Sequence, residues 1–354
     1  MKPLGSKRQD RGSVRFAVVG AGRIALNAVL PAFKNAAPHC RLTAIFSSDE
    51  RKRRSLAKAY GVDCMSYESF DDACRSDLFD AVYIALPNSL HRDYTLRAAA
   101  AGKHILCEKP LAVSHRDCQP MVDAARAAKV HLMTAYRLHF EPANLKAVRI
   151  AQSGKLGRLR AFNSTFSMQV RTGSFRTTPG MGGGPLHEIG VYCINAARYI
   201  FQSNPLEVCA LEAASTDPRF AHIEEAIGAI MRFPDDRLAT FYCGFGAAFT
   251  DSYQVIGEKG DLLVSPAFGY GSDLKHRLTV GRRVREEKFN RCDQFALQLL
   301  HLAECIRKGR TPGPDGMEGL IDVAIINAIH ESAKLRRPVK LTLPPPHNPA
   351  GRRR

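Results

Sequence analysis

The chain has 354 residues, 45% of them hydrophobic and 24% charged, and carries a formal net charge of +17. That composition excludes a disordered segment, and no run of about 18 apolar residues exists to span a bilayer. The length exceeds the roughly 250–300 residues at which a single hydrophobic core stops growing, so two domains are expected.

The opening stretch, MKPLGSKRQDRG, lacks the apolar core of a secretory signal, which predicts a cytoplasmic protein. The 10 cysteines agree, because they stand singly with no CxxC pair, and read mostly as buried small apolar residues. The positive charge lies in short clusters, Arg51 to Arg54, Arg282 to Arg285, Lys334 to Arg337 and Arg352 to Arg354, without aromatic interleaving. It reads as a solvated surface, so neither nucleic acid nor a membrane is expected as a partner.

An apolar run from Val14 to Val19 predicts a buried strand, and GAGRIA follows at once. Gly20 permits the tight turn, and Gly22 lets a pyrophosphate approach the backbone. Ala25 replaces the third glycine where helix must lie close to strand. Arg23 and Ile24 complete the turn, and the phosphates would rest on the following helix N-terminus. The plainer reading is a glycine-rich strand-to-helix turn that binds no nucleotide. The order strand, turn, helix, strand favours a nucleotide.

The next strand ends in Phe46, Ser47 and Ser48, where an NAD site usually has an acid for the ribose 2′-hydroxyl. Asp49 lies slightly too far along. Arg51 and Lys52 stand within reach of a 2′-phosphate, so NADP is the expected cofactor and NAD the alternative. An ordinary basic first turn of a solvent-facing helix is the plainer reading here.

FDAVYIALPNSLHRDYTLRAAAAGKHILCEKPLAV gives two strands bracketing a helix, which continues the βαβ alternation and predicts a doubly wound parallel sheet. Ligands in such sheets bind outside the strands' carboxyl ends. Leu86, Pro87, Asn88 and His91 stand at one such end, and Glu108, Lys109 and Pro110 at the next. Alone, His91 reads as a packing histidine. Lys109 is held where a nicotinamide ring is expected.

With TAYRLHFEP, GKLG, GGGPLHEIGVYCINAARY and DGMEGLIDVAIINAIHESAKLRRPVKL, these motifs resemble the Gfo/Idh/MocA family over nearly the whole chain. The nearest motifs are those of glucose-fructose oxidoreductase-like proteins and aldose dehydrogenases. The resemblance implies a Rossmann domain over 14–137 and an α+β substrate-binding domain over 138–342, between tails at 1–13 and 343–354. The second domain would carry a large, mostly antiparallel, open-faced sheet that pairs subunits into homodimers or homotetramers. LRAFNSTFSMQVR, LEVCALEAAS, EEAIGAIMRF, LATFYCGFG and DSYQVIGEKGDLLVS independently read as strands with one wet face. DQFALQLLHLAECIRKG and MEGLIDVAIINAIHESAKL read as amphipathic helices.

In the family the triple-glycine segment brings an acid and, one turn later, a His or Tyr to face the EKP lysine. Glu188 and Tyr192 occupy those positions. Their i, i+4 spacing independently puts both on one helix face, although a flexible lead-in before a buried tyrosine fits the pattern too. Glu188 departs from the usual Asp, and His187 beside it is a further polar candidate. The resemblance places Tyr136, Arg137 and His139 between the domains near the sugar, with Arg137 as a cofactor contact. Arg176, after Phe175, stands where relatives carry Trp-Arg and could contact substrate or cofactor.

These readings imply an NADP-preferring oxidoreductase acting on a sugar or related polyol, with no metal required. Tyr192 would exchange the hydroxyl proton with Lys109's charge beside it, and Glu188 would orient the sugar and Lys109. The alternatives are a dinucleotide- or sugar-sensing binding protein on the same fold, or an enzyme acting on a non-sugar carbonyl or diol.

Overall fold

A computed structural model describes residues 12–345, so the tails expected at the two ends fall almost wholly outside the described residues. The first sheet consists of β1 (Val14–Val19), β2 (Cys40–Phe46), β3 (Asp63–Met65), β4 (Ala81–Ile84), β5 (His104–Cys107) and β6 (Leu132–Thr134). All six are parallel, in the order β3-β2-β1-β4-β5-β6. Helices cover both faces, so Val18, Ile45, Val82 and Ile105 are fully buried, and the strands read as unbroken apolar runs. Its helices are α1 (Leu30–Ala36), α2 (Glu50–Tyr60), α3 (Phe70–Arg75), α4 (His91–Ala100) and α5 (His115–Ala127). The chain leaves β1 toward β2 and returns on its other side at β4, which opens a crevice at the carboxyl ends of β1 and β4.

The second sheet has nine strands: β7 (Leu159–Ser167), β8 (Glu207–Ala213), β9 (Ala226–Arg232), β10 (Leu238–Gly244), β11 (Thr250–Gly257), β12 (Gly260–Val264), β13 (Leu274–Val280), β14 (Arg283–Phe289) and β15 (Val339–Lys340). Their order is β14-β13-β12-β11-β7-β10-β9-β8-β15, antiparallel throughout except where β10 lies parallel to β7. One face packs on α6 (Pro142–Gln152) and α7 (Val191–Phe201), where Phe162, Ile194, Val255 and Leu262 share a core. The other face is open. The β13–β14 hairpin was not expected from the sequence, because β14 is an exposed edge strand whose charged residues show no apolar alternation.

After the sheet the chain returns to the first domain. In α8 (Gln294–Lys308), Phe295, Leu299 and Leu302 join Phe16, Val18 and Tyr83 in one core. Asp293 caps its start by accepting from the N–H groups of Phe295 (3.1 Å) and Ala296 (3.0 Å), and Gly309 ends it at φ +60°. The helix α9 (Gly316–Leu335), expected to be amphipathic, is instead apolar on two sides. Leu320 and Val323 pack into the first sheet's core, and Ile321, Ile325 and Ile329 into the second's. Its Glu318 and Asp322 meet Arg198 of α7 at 2.8 and 2.5 Å in a fully buried ion cluster. All ten cysteines are free and most are buried, as expected, while Cys209 is exposed on the open sheet face. Among the described residues no helix is long and apolar enough to cross a membrane.

Candidate active site

The glycine turn is fixed from within the sheet. Gly20 donates to Phe46 O at 3.0 Å and adopts φ +108°, and a Cβ there would lie 2.4 Å from Ala85 O. Only glycine fits between β1 and the end of β4. At Gly22 a Cβ would meet nothing within 4 Å, so the turn's outer side is open. Leu26 N–H bonds Gly22 O at 3.0 Å, which starts the helix at Arg23 and Ile24, and Ala25–Val29 continues it as a wide π turn.

At the end of β2, Ser47 is buried and its Oγ accepts from Asp49 N–H at 3.3 Å. Asp49 is turned into the start of α2, capping Lys52 N–H at 3.0 Å, and that bond chiefly holds its carboxyl below the ordinary range. Arg51 and Lys52 are exposed. The sequence reading missed Arg53, which donates from Nη1 to Ser47 O (2.7 Å) and Ser48 O (3.0 Å) and so shapes this loop. The available signal was its place one turn after the Asp49 cap.

Lys109, Glu188 and Tyr192 come together from segments far apart in the chain. Lys109 Nζ donates to the backbone oxygen of Glu188 at 2.8 Å and lies 5.1 Å from the centroid of the Tyr192 ring. Residues Leu186–Gly190 form a second π turn that leads into α7 and buries the Glu188 side chain. Glu188 Oε2 accepts from Arg176 Nε at 3.0 Å, and Oε1 from Asn88 Nδ2 at 3.5 Å. Burial alone would raise the Glu188 pKa, but the charges of Lys109 and Arg176 outweigh it and hold the carboxyl below its ordinary value.

The donor to the Tyr192 hydroxyl is Arg137, whose Nη2 lies 3.2 Å away. The same guanidinium donates to Phe268 O at 2.7 Å and to Gln294 Oε1, so it is locked in place from β12–β13 and α8. Tyr136 sits beside His139. It is 2% exposed, stacks on His139 at 5.6 Å, and lines a cavity together with Tyr192. His139 donates to Asn195 Oδ1 at 2.7 Å, and burial lowers its pKa to about 3.

His91 is fully buried, with Nε2 2.9 Å from Leu86 O and Nδ1 3.0 Å from Pro110 O. It ties together the two strand-end loops that carry Asn88 and Lys109. Glu108 accepts from Tyr83 Oη at 2.7 Å, Tyr83 accepts from Gln298 at 2.7 Å, and low-dielectric surroundings raise the Glu108 pKa over the pull of Lys109. His187 points away from Glu188 to Val113 O at 3.2 Å and stacks on His330.

A parallel sheet with a glycine turn at its switch point, facing a lysine, a carboxylate and a tyrosine, defines a dinucleotide-linked oxidoreductase class. Residues 14–136 match the oxidoreductase family with an NAD-binding Rossmann fold, and residues 144–263 match the GFO/IDH/MocA C-terminal domain. D-xylose 1-dehydrogenase (NADP(+)) 2 of Haloferax volcanii is 31% identical over 92% of this chain and 99% of its own length. The D-xylose 1-dehydrogenase [NADP(+)] of Haloarcula marismortui is 30% identical over 93% of both chains. The structure of an aldose-aldose oxidoreductase from Caulobacter crescentus with glycerol aligns at TM-score 0.89 and 35% identity, covering 93% of this chain and all of that one. A 3-ketoreductase from Actinomadura kijaniata, in complex with NADP and TDP-benzene, aligns at 0.82 and 25%, covering 90% and 98%. The chain belongs to the Gfo/Idh/MocA oxidoreductase family.

Proposed function

We propose that the protein is an NADP-dependent sugar oxidoreductase that moves a hydride between C4 of the nicotinamide and C1 of an aldose or a neighbouring carbinol carbon. The observation that carries this reading is the meeting of Lys109, Glu188 and Tyr192 at the carboxyl edge of the first sheet. The open side of Gly22 and the helix start at Arg23 and Ile24 fit a pyrophosphate. Ser47, with Asp49 turned into its cap and Arg51 and Lys52 exposed, suits a 2′-phosphate better than a 2′-hydroxyl. The NADP(+) in the names of the two xylose dehydrogenases and the NADP in the 3-ketoreductase structure support the same choice.

The cofactor, when bound, supplies or accepts the hydride. Tyr192 exchanges the proton of the reacting hydroxyl, and Arg137, donating to its oxygen, lies where negative charge would develop. Lys109, anchored on Glu188 O, presents an ammonium to the substrate oxygen as that oxygen gains charge. The ionised Glu188 carboxylate accepts from sugar hydroxyls while Arg176 and Asn88 fix its place.

The test is to follow nicotinamide absorbance with aldoses, inositols and sugar phosphates against both cofactors. Turnover of a sugar with NADP preferred supports the reading. NADP binding without turnover of any substrate points to a sensing protein, and turnover of only a non-sugar carbonyl or diol moves the substrate class.

Free cysteines accord with a reducing, cytoplasmic setting. The open sheet face supports a homodimer or homotetramer, because Leu211, Ile230, Leu238 and Tyr242 are 71%, 49%, 44% and 40% exposed on neighbouring strands. Light scattering should give an oligomer that Ile230→Glu dissociates. A monomeric wild type removes this assignment.

A further inference from the structure

The triple-glycine segment is sewn to its surroundings by Asn88 Nδ2 to Gly182 O at 2.9 Å and by Gly184 N–H to Arg176 O at 2.8 Å. Glu224, from the connection between β8 and β9, presses on it from another side. Gly184 has φ +114°, and a Cβ there would lie 2.9 Å from Glu224 Oε1, so the carboxyl sits directly on this glycine. That oxygen is buried and has no hydrogen-bond partner.

We propose that Glu224 is a positioning residue: neutral, its carboxyl clamps Gly184 and so fixes Glu188, and ionised, it releases the segment. A buried oxygen without a donor is tolerable when neutral and costly when charged. Burial accordingly pushes the Glu224 pKa up to about 7, its own N–H and that of Leu186 pull it back, and Glu212 on β8 adds repulsion. Cys243 on β10 is a further titratable group facing it, and its thiol is pushed up by burial, by Cys193 and by Glu224.

In the opened segment Glu224 is solvated and titrates as an ordinary carboxylate, so the closed form binds the proton more tightly. Closure is complete below about 4.5, the carboxyl's ordinary value; opening is favoured about tenfold more for each pH unit from there to about 7, and above that the effect is level. Glu188 follows the segment, because its N–H bonds Gly184 O at 3.2 Å and its carbonyl holds Lys109 Nζ at 2.8 Å.

The test is hydrogen exchange of the backbone amides of residues 184–192 in the full chain, wild type against Glu224→Gln. Rates should be alike at about pH 4, and at about pH 8 the wild type should exchange about tenfold or more faster. Equal rates at the higher pH overturn the proposal. Exchange needs no substrate, so this outcome is distinct from a failure of the sugar chemistry. On the oxidoreductase reading above, KM for the sugar should also climb as pH rises from about 5 to about 7 in the wild type, level off above that, and stay flat in Glu224→Gln, with kcat moving less. Should Glu224→Gln fail to fold, Glu224→Asp withdraws the carboxyl from Gly184 and should exchange fast already at acid pH. Wild-type rates in that variant overturn the proposal equally.

Discussion

Gly20→Ala and Gly22→Ala should separate what one glycine does for the fold from what the other does for the ligand. At Gly20 a Cβ would stand 2.4 Å from Ala85 O, roughly 1 Å inside ordinary van der Waals contact. Neither side can step away, because Gly20 N–H is held by Phe46 O at 3.0 Å and Ala85 N–H by Val19 O at 2.8 Å. A left-handed backbone costs a non-glycine residue about 1–2 kcal/mol and overpacking about 1–3, so a loss of about 2–5 kcal/mol is expected. At Gly22 nothing lies within 4 Å of the Cβ position and φ is not positive, so stability should stay within about 1 kcal/mol. The added methyl would instead project into the space reserved for a pyrophosphate, raising the NADP Kd about tenfold or more, about 1.4 kcal/mol. Urea unfolding measures the first effect and titration of NADPH fluorescence the second. If Gly22→Ala binds NADPH as tightly as the wild type, the dinucleotide does not approach this turn and the cofactor assignment fails.

Lys109→Met and Tyr192→Phe should each lower kcat by about 10²–10⁴-fold with NADP affinity nearly unchanged, and the double variant should cost little more than either. Full turnover by Tyr192→Phe would remove the proton-transfer role. Ser47→Asp should shift cofactor preference toward NAD, by repelling a 2′-phosphate and accepting from a 2′-hydroxyl, as read from the ratio of kcat/KM values. Arg198→Met should destabilise the fold by about 3–5 kcal/mol, since it leaves Glu318 and Asp322 buried without a cation, and unchanged urea unfolding would contradict that. Burial raises the Glu318 pKa, aided by Asp322 and opposed by Arg198. A carboxyl raised by folding contributes stability that is complete below its unfolded value and fades as pH rises through the folded one, so Glu318→Gln should flatten wild-type stability on the approach to neutrality.

Much of the first domain was legible, because the apolar runs at Val14–Val19 and Ala81–Ile84 and the GAGRIA turn are local signals that sterics and burial enforce residue by residue. Lys109, Glu188 and Tyr192 were named through the resemblance of EKP and the glycine segment to the family, and the structure brings them together. Their partners were not legible. Asn88 reaches Glu188 across 100 residues and Lys109 reaches it across 79, distances at which no periodicity survives. Arg137 read as a cofactor contact, and only the three-dimensional structure brings Gln294, Phe268 and the Tyr192 hydroxyl around its guanidinium. The α9 helix read as amphipathic because one stripe of apolar residues suffices for a surface helix, whereas this one is covered by both domains. The β13–β14 hairpin escaped because an edge strand can be charged along its length.

The return of α8 to the first domain bears on how the chain is made. The face of the first sheet formed by Phe16, Val18 and Tyr83 is closed by Phe295, Leu299 and Leu302, which leave the ribosome only after nearly all of the second sheet. During synthesis the dinucleotide half therefore waits, one side of its sheet uncovered, while β7 to β14 assemble behind it. A chain arrested before residue 294 would present that apolar side to water and to chaperones, and the Rossmann unit is finished by a helix drawn from the far end of the chain.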